Sequence, residues 1–193
     1  MFADLNNKVA LITGAGQGIG AGIARVFAGA GAKVMVVNRT AAHGERTVQE
    51  ITDAGGEAEL CATDIGEVEN INSAISQTIS KWGRIDIALH NAASFLGGTV
   101  EEYSEDDLET VLAVNLKACF RMSKAAIPYF KKQGGGRLLF TSSVTGPRVA
   151  MPGTSYYAAS KGGMKAFIRT AALELARDNI TVNGVEPGYI RTA

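Results

Sequence analysis

The stretch Val9-Ala10-Leu11-Ile12-Thr13-Gly14-Ala15-Gly16-Gln17-Gly18-Ile19-Gly20 decides the fold. Four consecutive apolar residues read as a strand buried on both faces. A glycine-rich turn follows and opens a helical pattern through Ile23, Val26 and Phe27. Glycines let the backbone turn sharply and approach a pyrophosphate with no Cβ in the way. The free N–H groups at the helix start, at the positive end of its dipole, then hold the anion. A glycine turn alone also suits any tight strand-to-helix connection. Its place between a first strand and a first helix is what favours a dinucleotide site. Gly14, Gln17, Gly18, Ile19 and Gly20 are the candidate contacts.

Working outward, further apolar runs occur at Lys33–Val37, Glu59–Ala62, Ile85–Leu89, Arg137–Phe140 and Ile180–Val185. Helical stretches lie between them at Ala41–Asp53, Glu67–Trp82, Ser104–Lys132 and Ser155–Arg177. The chain therefore reads as alternating β and α units. Right-handed crossovers turn such a chain into a Rossmann-like doubly wound parallel sheet, an α/β fold of three layers. Ser104 and Asp107 are placed to form a capping box, and Pro128 is expected to kink or end the long helix. No linker, repeat or low-complexity stretch divides the chain, so residues 1–193 are expected to form one domain. The end at Ala193 comes just after the sixth strand, with no helix to cover it. A missing C-terminal substrate segment and last strand are the expectation.

Composition narrows the function. Hydrophobic residues make up 46% and charged residues 20%, with nineteen basic against nineteen acidic side chains. No field of one sign recruits nucleic acid or an anionic membrane. Cys61 and Cys119 are far apart and suit buried free thiols in a reducing compartment, not a metal site. The N-terminus is neither basic nor greasy enough for a signal peptide, so a cytoplasmic location follows. Neither a Gly-x-Ser-x-Gly elbow nor a P-loop is present, and the chain has only two histidines.

The second strand ends Val36-Val37-Asn38-Arg39. In a dinucleotide site this end faces the adenine ribose. An acid there binds the 2′-hydroxyl of NAD; Asn38 offers none, and Arg39 can fork onto the 2′-phosphate of NADP. NADP is the favoured cofactor, with NAD as the alternative, although Arg39 also reads as an ordinary surface arginine. Asp64, ending the third strand beside Ile65, is placed to meet the adenine or to cap the helix that follows.

Tyr157-Ala158-Ala159-Ser160-Lys161 puts a phenol and an ammonium four apart, on one helical face. Ketone reduction needs a proton donor at oxygen while hydride reaches carbon. A free phenol has a pKa of about 10 and is a poor base at neutral pH. A cation about 4 Å away, at an effective dielectric near 20, favours its ionised form by roughly 4 kcal/mol. Ser142 and Ser143 end the fifth strand, where parallel sheets bind ligands, and either hydroxyl can orient a carbonyl. Tyr156 is expected to pack or to line the pocket. Ser94, Phe95, Val149 and Met151 are further lining candidates and suggest a moderately apolar site.

Together these residues resemble the short-chain dehydrogenase/reductase family. The resemblance rests on Thr13-Gly14-x-x-x-Gly18-Ile19-Gly20, Asp64, His90-Asn91-Ala92-Ala93, Asn115, Ser143, Tyr157-x-x-x-Lys161 and Pro187-Gly188. It implies a catalytic tetrad of Asn115, Ser143, Tyr157 and Lys161. Tyr157 would be the general acid–base, Lys161 would promote its ionisation and hold the nicotinamide ribose, and Ser143 would steady the substrate oxygen. Asn115 would support a water-linked proton path through Lys161. Asn91 and Ala92 would meet the cofactor, and Pro187, Gly188, Ile190 and Thr192 its nicotinamide end. The implied activity is reversible hydride transfer between NADP(H) and a secondary alcohol or ketone, in a homodimer or homotetramer. A non-catalytic nucleotide-sensing or scaffold protein of the same fold is the alternative. The chain departs from the family at His90, where asparagine is usual, and at Ala93, where glycine is. The span from Ser143 to Tyr157 is also one residue longer than usual.

Overall fold

The structure is a computed structural model that describes residues 4–192. Residues 1–3, part of the N-terminus read above for a signal, and residue 193, the end of the expected domain, lie outside the described residues. The strands are β1 (Val9–Thr13), β2 (Lys33–Asn38), β3 (Glu57–Ala62), β4 (Ile87–His90), β5 (Gly136–Thr141) and β6 (Ile180–Val185). The helices are α1 (Gly18–Gly29), α2 (Ala41–Asp53), α3 (Val68–Trp82), α4 (Glu105–Leu112), α5 (Ala118–Lys132) and α6 (Ser155–Leu175). The strands form one parallel sheet in the order β3-β2-β1-β4-β5-β6, so the winding reverses between β1 and β4. This is the expected Rossmann-like single domain. The crevice outside the carboxyl ends at such a reversal is where open α/β sheets bind ligands.

Two layers of helix cover the sheet. On one face Ala24, Ala28 and Ile51 of α1 and α2 pack on Ala10, Ile12, Val34 and Val36. On the other, Ile75 of α3, Met122 and Phe130 of α5 and Met164 of α6 pack on Leu11, Met35 and Leu138. Strands β1, β2 and β4 are buried on both faces, as their continuous apolar runs require. In β5 and β6, by contrast, Arg137, Thr181 and Asn183 are exposed, because α1 and α2 stand over the other half of the sheet.

Several element boundaries differ from expectation by a residue or two, and the larger differences are these. Strand β4 begins at Ile87, two residues later than expected; just before it the Asp86 carboxylate accepts from the Val9 amide at 3.0 Å and from both nitrogens of the Arg84 fork. The stretch Ser104–Lys132 is not one helix. A π turn over Ala113–Lys117 separates α4 from α5 and contains Asn115. Pro128 neither ends nor divides the helix, which runs to Lys132. Pro128 and Lys124, one turn back, are both exposed, so water serves the carbonyl that loses its amide partner. The Ser104 hydroxyl does cap α4, accepting from Asp107 N at 3.3 Å, but no return bond completes a box.

Candidate active site

A cleft of about 780 Å³ runs along the carboxyl ends of the strands. Its floor at the β1 end is the glycine turn. Gly14 and Gly18 hold left-handed conformations with φ of +65° and +56°, which side chains resist. A Cβ on Gly14 would stand 2.6 Å from the Ala92 backbone, so the β1 and β4 exits touch there. Gln17 precedes α1 in extended conformation, and no side chain caps the helix. Its first amides are left for an anion. Gly14, Gln17, Gly18 and Ile19 line the cleft, whereas Gly20 does not. Gly20 is needed for close approach: a Cβ would lie 2.1 Å from Gly14 O and 2.5 Å from Asn91 Nδ2. Gly20→Ala is therefore expected to lower stability by about 1–3 kcal/mol through overpacking and to displace the turn. Thermal unfolding checks this, and an unchanged midpoint would refute it.

At the β2 end, Asn38 and Arg39 line the cleft. The Asn38 carboxamide is already engaged. Its oxygen accepts from Gly16 N at 3.2 Å, and its nitrogen donates to Thr40 O at 2.8 Å. Arg39 lies 3.6 Å from Asp64, and the arginine side chain is 76% exposed. An ion pair so open to water is worth little and yields readily to a better anion. Asp64 also accepts from Gly66 N at 2.9 Å. That is an Asx turn and not a helix cap, because α3 starts only at Val68. Ile65, Asn91, Ala92 and Ala93 continue the wall. Thr40 and His43, at the start of α2, also line it and were missed in the sequence. The readable signal for them was their place at a helix N-terminus following a cation.

At the β5 end the catalytic candidates converge. Ser143, Tyr157 and Lys161 all line the cleft, with Pro187, Gly188, Ile190 and Thr192 along its rim. The two serines separate by their bonds. Ser142 Oγ donates to Lys161 O at 3.2 Å, which uses its proton. Ser143 Oγ accepts from Thr145 N at 3.0 Å, which leaves its proton free for a ligand. Tyr157 is half-buried, with the Phe95 ring edge-on at 4.6 Å between centroids. Lys161 is 2% exposed, and its Nζ donates to Thr141 O at 2.7 Å, 5.7 Å from the Tyr157 ring centroid. Burial pushes the Lys161 ammonium down to about 8.

Asn115 does not line the cleft; it stands behind it, fully buried. Its carboxamide accepts from Ser94 N at 2.7 Å and donates to Ser94 O at 2.9 Å and to Ser160 Oγ at 3.1 Å. It thereby fixes the segment carrying Ser94 and Phe95. Tyr156 is buried and packs near Gly98, and Val149 and Met151 also lie off the cleft. Among the described residues there is no cluster suited to a metal ion, and no helix is long and apolar enough to cross a membrane.

The glycine turn and the Ser143, Tyr157 and Lys161 cluster thus share one cleft on a Rossmann-like sheet. Comparison with known proteins places it further. Residues 8–193 match the family model described as short chain dehydrogenase. The oxidoreductase UcpA of Salmonella typhimurium is 37% identical over 188 residues, covering 97% of this chain and 71% of the relative. A versicolorin reductase of Emericella nidulans is 36% identical over 191 residues, with 97% and 71% covered. A short chain dehydrogenase of Burkholderia cenocepacia, solved in complex with NADP, superposes with a TM-score of 0.93 at 33% identity, over 98% of this chain and 77% of that one. The chain belongs to the short-chain dehydrogenase family.

Proposed function

We propose that the protein catalyses reversible hydride transfer between NADP(H) and an uncharged secondary alcohol or ketone, with Tyr157 as the general acid–base. The observation that carries this reading is the convergence of Ser143, Tyr157 and Lys161 on the same cleft as the glycine turn. The residues fit a dinucleotide: uncapped α1 amides for the pyrophosphate, Arg39 for a 2′-phosphate, and Lys161 beside the ribose position. The nicotinamide, when bound, supplies or takes up the hydride. Ser143 donates its free proton to the substrate oxygen and holds it near Tyr157. The Tyr157 hydroxyl delivers a proton to that oxygen in reduction and removes it in oxidation. Lys161 supplies positive charge to the phenol, and burial strengthens its field. Asn115 acts at a distance, by holding Ser94.

Phe95, Tyr189 and Ile190 supply apolar surface beside Tyr157, and Arg148 is already paired with Glu186. That favours an apolar, uncharged ketone over an anionic one. The versicolorin reductase among the relatives is in keeping with a ring-bearing substrate. Oxidation of NADPH followed with cyclic and open-chain ketones tests the reading, and no turnover with any of them would sink it. NADP is favoured over NAD because Asn38 carries no charge and Arg39 is only loosely held. Arg39→Ala is expected to weaken NADPH binding about 10- to 100-fold, the range of a charge-assisted phosphate contact, and to spare NADH. Calorimetry checks it; equal losses for both cofactors would refute it. A homodimer or homotetramer through α5 and α6 is supported by the exposed Phe120 and Leu173. A cytoplasmic location is supported by the free cysteines Cys61 and Cys119.

A further inference from the structure

His90 ends β4 with its side chain 1% exposed. Its Nδ1 lies 2.9 Å from Thr13 Oγ1. That hydroxyl oxygen already accepts from two amides, Asn91 N at 3.1 Å and Ala92 N at 3.2 Å. Two acceptances fill both lone pairs, so the Thr13 proton must be the one shared with His90. Nδ1 is then an acceptor, and the ring proton of neutral His90 sits on Nε2. Nε2 is the one buried side-chain polar atom among the described residues with no hydrogen-bond partner. Backbone groups of Val114 and Asn115 lie within reach of the ring. Both belong to the π turn, where bonds are spaced five residues apart and carbonyls open to side-chain donors. The Cys119 thiol uses one of them, donating to Asn115 O at 3.2 Å.

We propose that His90 is a positioning residue for the hydride transfer. It takes the proton of the Thr13 hydroxyl, which fixes the β4 exit against the glycine turn, and its ring lies beside the π turn that carries Asn115. It acts through Asn115 on Ser94 and Phe95, and hence on the space over Tyr157. This inference rests on the proposed reaction. The ring must be neutral to do so, and its neighbours keep it neutral. Burial and the Lys161 charge hold the imidazole down at about 3, and the Cys119 thiol, pushed up to about 12 by its own burial, brings no negative charge. A charged ring would place a second buried cation beside Lys161. An asparagine also pairs an acceptor with a donor without charge, and so can take the same place.

Nitrogen NMR of labelled imidazoles tests the tautomer, with His43→Gln assigning the His90 signal, since the chain has two histidines. The expected result at pH 7 is a proton on Nε2 and a bare Nδ1. In His90→Phe the full-length protein should lose about tenfold or more in kcat while binding NADPH as before. Amide exchange over Ala113–Lys117 should quicken about tenfold. His90→Asn should restore both. A proton on Nδ1, or wild-type kcat and exchange in a folded His90→Phe, overturns the proposal; so does a loss that His90→Asn leaves unrepaired. If His90→Phe does not fold, Thr13→Val makes the test from the other end. Without the hydroxyl the tautomer should become mixed and exchange in the π turn should quicken; neither changing overturns the proposal. Lack of ketone turnover in the wild-type protein counts against the reaction alone, because tautomer and exchange are read without substrate.

Discussion

Replacing Tyr157 with phenylalanine is expected to cut ketone turnover on the order of a hundred- to ten-thousand-fold, the range for loss of a positioned acid–base group. NADPH binding should stay in place. Tyr157 offers a proton to the cleft from a half-buried position. The alternatives nearby are poorer. The Ser142 proton is used on Lys161 O, and the Lys161 ammonium is turned to Thr141 O. Ser143 alone keeps a free proton, but its hydroxyl is held by Thr145 N and has no base to replenish it. Phenylalanine keeps the ring, its packing and the edge contact with Phe95, so the fold is preserved. The measurement is kcat from NADPH absorbance alongside the NADPH dissociation constant from its own fluorescence. A kcat within a few-fold of wild type would remove Tyr157 from the mechanism. Ser143→Ala should fall less, by about ten- to a hundredfold, because it removes one donor to the substrate oxygen and leaves the proton source.

The contrast between the strands and the long helical stretch shows what the sequence can reveal. Val9 to Ile12 is apolar at every position, and only a strand covered on both faces accounts for that; β1 is buried throughout. The four-residue spacing of Tyr157 and Lys161 is likewise a helical fact, and both reach the cleft from α6. The π turn had no such signal. Residues 104–132 keep a helical pattern across Ala113–Lys117, and a single widened turn barely disturbs it. What marks the turn is the destination of the Asn115 carboxamide on Ser94, a partner 21 residues away. His90 was legible as a departure from the family pattern, but its tautomer depends on Thr13 accepting two amides across the sheet. The choice between Ser142 and Ser143 was equally closed to the sequence, since both end the same strand. Their separation depends on which carbonyl and which amide the turn brings near. Asp64 pairing with Arg39 is a further case: two side chains 25 positions apart meet only because β2 and β3 are adjacent and in register.

Lys161→Met is expected to abolish turnover and yet to raise the stability of the protein. The Lys161 ammonium is buried with one carbonyl as its only hydrogen-bond partner among the described residues. Cys119, which acts on the ammonium electrostatically, is pushed up to about 12 by its own burial and is an uncharged thiol at neutral pH. No counter-ion among the described residues compensates the charge, so burial drives the lysine from the ordinary 10.5 down to about 8. At this residue the unfolded chain then binds more protons than the folded one between those values, so the lysine's own contribution to stability rises with pH across that window. Below about 8 the folded protein carries the whole penalty. Each unit of depression is worth about 1.4 kcal/mol, and losing the bond to Thr141 O returns about 1 kcal/mol of it. Methionine, apolar and of similar length, should therefore be more stable at pH 7 by about 1–3 kcal/mol. Denaturant unfolding at several pH values checks this. The gap between the wild-type and variant curves should close between pH 8 and 10.5, the buried thiols Cys61 and Cys119 acting alike on both. A variant less stable than wild type at pH 7 would mean that the charge is compensated in the folded protein. The variant should also lose NADPH affinity, unlike Tyr157→Phe, because Lys161 serves the ribose as well as the phenol. In the reduction direction the wild-type rate should fall as pH rises above about 8, where Lys161 gives up its proton. Removal from water makes the ammonium costly to the fold, and by the same physics its field at the Tyr157 oxygen is stronger than a solvated cation could exert.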